Sequence, residues 1–201
     1  EHANSVQVAI DRALTSTSAL GAMVKQRRGQ VAEFNSIAEK LLPYYPGVQS
    51  LQLAPAGIVS QIYPMAGNER AIGHNLFADP LRSKESLLAK ESGQLTLAGP
   101  FNLIQGGVGA AGRLPVYLSP DGKSQEVFWG FAIALIRFPD VLRESSLGGL
   151  KAHGHQYHLW KSDPNTGNSQ TIASSGLADA ALLDPVEFPL MTPNGMWHLS
   201  V

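Results

Sequence analysis

An apolar stripe near the start of the chain constrains the fold more than any other feature. Steps of four and three residues from Val6 land on Ile10, Ala13, Thr17, Leu20, Val24, Arg27, Val31, Phe34, Ala38 and Leu41, and only Thr17 and Arg27 are polar. That spacing gathers the side chains on one helical face, the seam of a coiled coil or of a long packed helix. Polar residues such as Asp11, Arg12, Lys25, Gln26 and Glu33 fall between the seam positions. A continuous helix from Val6 to Leu42 would be roughly 55 Å long, more than the diameter of a small domain. The expectation is an N-terminal stalk helix over residues 1–42 that projects in part and pairs with a second copy of itself. Gly21 and Gly29 are its weak points, where a helix bends most readily.

Beyond Leu42 the texture changes. Pro43, Pro46 and Gly47 mark a turn, and 48–53 and 58–63 flank Ala54-Pro55-Ala56-Gly57 as a β-hairpin. A loop rich in Gly and Asn runs from Pro64 to Asn75. Asp79 as N-cap, Pro80 in the first turn and Gly93 as terminator predict a helix from Asp79-Pro80 to about Ser92. Strands are expected at 95–97, 101–104, 113–118 and 127–136, the last two joined by the turn Ser119-Pro120-Asp121-Gly122. A short helix at 139–145 and strands at 157–160, 170–173 and 197–201 complete the pattern. The result is an α+β chain: the helix, a larger sheet unit over 43–137 and a smaller one over 138–201.

Composition removes several function classes. Fifteen Lys and Arg against sixteen Asp and Glu leave a net charge of −1, without the basic excess that nucleic acid or acidic lipid requires. With no cysteine, there are no disulfides, thiolate metal sites or cysteine nucleophiles. The longest apolar run, Val127 to Ile136, is about half a membrane helix. No signal peptide is visible and the chain starts at Glu1, as expected of a piece of a longer protein.

Three segments could carry chemistry. Gly107-Val108-Gly109-Ala110-Ala111-Gly112 matches the dinucleotide pattern G-x-G-x-x-G. The following Arg113-Leu114-Pro115-Val116-Tyr117 forms no helix to hold a pyrophosphate, so a glycine loop beside a pocket is expected instead. His153, His155 and His158 form H-x-H-x-x-H, which leaves open a metal-dependent enzyme as an alternative to a polar surface strand. No spacing selects a general acid, base or nucleophile, so the chain is expected not to be an enzyme and to hold no cofactor. The stretch from Gly93 to Gly107 interleaves Leu97, Phe101 and Ile104 with small residues such as Gly99, and Arg82 and Arg113 flank it. Such a segment suits either a small-molecule pocket or a core hairpin. A protein-interaction module without a pocket stays open beside these.

A set of short motifs runs through most of the chain in a fixed order: Glu33-Phe34, Pro46-Gly47-Val48, Leu53 to Val59, Tyr63-Pro64, Gly67-Asn68-Glu69 and Gly73. It continues through Asn75-Leu76, Asp79-Pro80, Arg82, Gly93, Leu97 to Phe101, Leu103, Gln105 to Gly107 and Pro115-Val116-Tyr117. Read in that order, the residues resemble the CHASE domain, an extracytoplasmic sensor module of histidine kinases and nucleotide cyclases. The resemblance implies a long N-terminal helix, two PAS-like units with a ligand pocket in the membrane-distal one, and flanking membrane helices. In cytokinin-binding relatives a pocket carboxylate hydrogen-bonds the purine; here Arg82 falls near that position, Ile104 at the hydrophobic pocket position and Arg113 at a polar one. A guanidinium only donates, so two arginines suit an anionic ligand better than a purine.

The expectation is therefore the periplasmic sensor domain of a membrane-anchored bacterial receptor in the inner membrane, dimeric through its N-terminal helix. Its expected site is Arg82, Leu97, Gly99, Phe101, Ile104 and Arg113, without metal or nucleic acid.

Overall fold

A computed structural model describes residues 1–78, 80, 83–103, 107–119, 125–163, 166–176, 182 and 184–201. The stripe does form a helix, but a shorter one: α1 spans His2–Gln26, about 37 Å at 1.5 Å per residue. Arg28 and Gly29 then take positive φ values of 50° and 80°, and the Gly29 amide closes the helix end onto the Val24 carbonyl at 2.9 Å. A side chain cannot stand at Gly29, because its Cβ would lie 2.5 Å from the Trp129 indole nitrogen. The chain re-enters helix as α2, Phe34–Leu41, which buries Phe34 and Ala38.

Two antiparallel sheets follow. The first holds β1 (Val48–Pro55), β2 (Gln61–Tyr63), β3 (Thr96–Asn102), β4 (Val108–Leu118) and β5 (Val127–Phe138), in the order β2-β1-β5-β4-β3. The second holds β6 (His158–Ser162), β7 (Ser169–Ser174), β8 (Glu187–Thr192) and β9 (Gly195–Ser200), in the order β7-β6-β9-β8. Helix α3 (Ser83–Ser92) lies against the first sheet, and α4 (Leu147–Ala152) links the sheets after a 3-10 turn at Asp140–Glu144.

The seam does not project. Val6, Ile10, Ala13, Leu20 and Val24 of α1 share one core with Leu51, Leu53, Ala132, Ala134 and Ile136 of the first sheet. Leu159, Leu190, Trp197 and Leu199 of the second sheet join the same core. The apolar stripe is therefore spent as a spine inside this chain rather than on a second copy. Thr17 is buried on the seam, where its hydroxyl donates to the Leu14 carbonyl at 2.7 Å.

The glycine run expected as a loop is strand. Helix α1 approaches β4 so closely that a Cβ on Gly112 would lie 2.5 Å from Leu14, and on the opposite face Leu103, just after β3, would lie 2.6 Å from a Cβ on Gly109. Strand β8 escapes sequence patterning because Pro189 interrupts it, and it sits at a sheet edge, where a missing amide is tolerated. The expected N-cap Asp79 and the Pro120-Asp121-Gly122 turn lie outside the described residues. Among the described residues, no helix is long and apolar enough to cross a membrane.

Candidate ligand-binding site

The first sheet has two faces. Even positions of β4, and of β5 after Phe131, face α1 together with Leu51 and Leu53 of β1, and odd positions such as Ala111, Arg113, Ile133 and Leu135 face away from it; a register shift reverses the parity at Phe128 and Trp129. On that outer face Ala54, Val59, Leu76, Ala89, Ala111, Phe131 and Ile133 form a second apolar cluster beneath α3 and the loop after β2. Phe128 meets Phe77, Phe131 and Tyr117 edge to face, and Phe77 meets Phe131 at a tilt, with centroids 5.1–6.1 Å apart. The Lys90 ammonium caps Phe77 and Phe128 at 5.3 and 5.1 Å from the ring centres.

Between this sheet face and the loop lies a cavity of about 220 Å³. Its apolar side is Val59, Leu76, Phe101, Leu103, Ile133 and Leu135, and its polar side is Gln52, Asn68, Arg70, His74, Asn102 and Arg113. Among the described lining residues there is no carboxylate. That mixture, apolar walls with a few converging polar groups, is the usual form of a small-molecule site.

Local chemistry holds each polar group. Arg113 is only 2% exposed, and its Nη1 donates to the buried Ser86 hydroxyl of α3 at 2.7 Å. Gln52 donates from Nε2 to the Ser50 hydroxyl at 3.1 Å, which fixes its amide on the sheet. Asn68 donates to the Pro64 carbonyl at 2.9 Å, and a 3-10 turn at Glu69–Ala71 sets Arg70, an exposed residue, at the cavity rim. His74 is placed by backbone bonds, its carbonyl accepting from Val59 and its amide donating to Ala71. The Glu69 carboxyl is held below its ordinary range by its own amide and that of Gly67.

Of the residues expected at the site, Phe101 and Arg113 line this cavity. Leu97 and Gly99 do not: Leu97 packs in the core around α1, and Gly99, at φ 117°, belongs to a bulge in β3. Arg82 and Ile104 lie outside the described residues. Gln52, Asn68, Arg70 and His74 were not expected at a site. Gln52 is one of three polar residues in β1, with Gln49 and Ser50, and the other three lie in the loop of Gly and Asn between Pro64 and Asn75.

The histidines are not brought together. His153 contacts the Gly149 carbonyl at 2.7 Å, whereas His158 meets the Thr171 hydroxyl on β7 at 2.9 Å. Among the described residues, no three His, Asp or Glu side chains are grouped to hold a metal ion.

The profile of the CHASE domain matches residues 7–172. An extracellular ligand binding receptor from Desulfohalobium retbaense DSM5692 superposes with a TM-score of 0.73 at 13% identity, over 99% of this chain and 38% of its own. The chain thus spans well under half the length of that receptor. A protein titled Methyl-accepting Chemotaxis protein X superposes with a TM-score of 0.56 at 14% identity, over 99% of this chain and 93% of its own. At these identities the likeness is one of fold. No curated protein matches the sequence.

Proposed function

The chain belongs to the CHASE domain family of sensor domains, and from that premise we propose that it binds a small anionic molecule in the cavity of its first sheet. The observation that carries the proposal is the lining: Arg70 and Arg113 converge with the amide groups of Asn68, Asn102 and Gln52 on a cavity whose other wall is apolar. Guanidinium groups bind carboxylates and phosphates in a fork, and the apolar wall accommodates the ligand's hydrocarbon part. Arg82, which the resemblance places near this position, is part of the same proposal.

In this proposal the chain is the extracytoplasmic, periplasmic part of a membrane-anchored receptor of histidine-kinase or cyclase type. Residues 43–137 form the membrane-distal, PAS-like ligand unit and 138–201 the membrane-proximal one. Two copies pair along α1. Because the apolar seam is buried in each chain, the paired stripe is the outward one of Asn4, Val8, Asp11, Thr15, Ser18 and Ala22. Ligand shifts the balance between two packings only if it binds one of them better.

A thermal-shift screen of short carboxylates, organic phosphates and purines tests the ligand class, repeated with Arg70→Ala, Arg82→Ala and Arg113→Ala. A carboxylate or phosphate should raise the melting temperature of the wild type, and the arginine changes should abolish that rise. A response to purines alone, or stabilisation that survives all three changes, rejects the anionic ligand. A full-length receptor that stays monomeric in detergent at high concentration rejects the pairing.

A further inference from the structure

Strand β3 carries an irregularity that decides which residues face the cavity. Thr96, Leu97 and Ala98 pair in regular order with Arg113, Gly112 and Ala111, but Phe101 pairs with Gly109. Gly99 and Pro100 together oppose a single residue of β4, so the strand gains one residue. Side chains alternate with a period of two, so one extra residue exchanges the faces. Without the bulge Phe101 would turn toward α1, as Leu97 does; with it, Phe101 lines the cavity.

Strand β3 is also an edge of its sheet, and its outward backbone groups would lack strand partners. Side chains of the second sheet satisfy them. Lys161 of β6 donates its ammonium to the Gly99 carbonyl, and Gln170 of β7 donates to the Pro100 carbonyl at 3.4 Å. Asn194, between β8 and β9, accepts from the Leu97 amide at 2.6 Å. Two of these three contacts land on the bulge carbonyls.

We infer that Lys161 and Gln170 are positioning residues for the cavity: by holding the Gly99 and Pro100 carbonyls, the second sheet sets the bulge that presents Phe101 to the ligand site. The inference rests on the cavity being the ligand site. It makes the two sheets reciprocal partners, since whatever shifts Phe101 must shift the bulge carbonyls, and the converse holds by linkage. The Lys161 ammonium is half-buried there, with Glu85 and Asp163 as its nearby anions and Lys84 as a nearby cation.

The test needs no ligand, so it stands apart from the identity of the anion. Ala111→Leu fills the cavity from the pocket face of β4, and amide hydrogen exchange of the chain is read by NMR. The readout is the rate ratio between the amides of Trp160, Lys161 and Thr171 and those of α1, which a uniform loss of stability leaves unchanged. The expected result is a change of about threefold or more in that ratio on filling the cavity. The change should vanish in the Lys161→Met/Gln170→Leu background and persist with Lys161→Arg. An unchanged ratio on filling, or the same change in the double variant, overturns the inference. If Ala111→Leu does not fold, Ala111→Val makes the same comparison.

Discussion

Leu97 and Phe101 occupy the same strand at positions of equal parity, yet Leu97 is buried against helix α1 and Phe101 lines the cavity on the opposite face. The single bulge between them is responsible. Gly99 makes that bulge possible, with φ at 117° and a would-be Cβ only 3.0 Å from the Gly109 carbonyl oxygen. Gly99→Ala is expected to cost on the order of 1–3 kcal/mol, the range for a non-glycine residue held in that region. Urea denaturation measures it; a cost below about 0.5 kcal/mol would show that the strand reaches the same geometry without glycine.

Arg113 and Ser86 form a buried pair on the cavity floor, with a donor–acceptor distance of 2.7 Å. Ser86→Ala removes the hydroxyl that accepts from the guanidinium, and a hydrogen bond to a charged group contributes about 1.5–3 kcal/mol. The expected outcome is a loss of that size in chemical denaturation. Ser86→Thr, which keeps a hydroxyl, should lose less.

The two faces of α1 should respond differently to truncation. Leu20 is fully buried in the shared core, whereas Ser18 is exposed. Leu20→Ala is expected to cost about 2–5 kcal/mol, and Ser18→Ala to stay within about 0.5 kcal/mol. Equal effects in denaturation experiments would contradict a seam buried within one chain.

Burial lowers the pKa of His158 below the ordinary histidine value. A histidine depressed in the folded state binds fewer protons than in the unfolded chain, so stability falls as pH drops below about 6.5 and levels off once the folded form also titrates. Denaturation midpoints between pH 8 and pH 5 should decline, and His158→Gln should decline less steeply. Identical slopes would remove His158 as a source of the acid sensitivity. The Thr171 hydroxyl beside it, 2.9 Å from Nε2, is a partner for either tautomer and does not reverse that sign.

What was legible from the residues is what local chemistry decides. Apolar spacing marked α1, and the turn residues around Pro43, Gly57 and Gly93 placed the breaks between elements. The order of motifs pointed to the CHASE family, which the profile match over residues 7–172 shows. Phe101 and Arg113 were within reach because aromatic and cationic residues stand out in a strand of small ones. Gln52, Arg70 and His74 were not, since their meeting depends on the loop after β2 folding back over β4 and β5, strands distant from it in sequence.

The sequence alone determined that an apolar helix exists, that two sheet units follow it, and that the chain has no thiol chemistry. Only the tertiary structure decided what the helix covers: the stripe that could have paired with a second copy is taken by both sheets of its own chain. The same is true of the face of Phe101, which turns on one extra residue in β3 and on Lys161 and Gln170 from the other sheet. Periodicity and turn chemistry act between residues close in sequence, whereas strand register and burial depend on which distant partners win the contact.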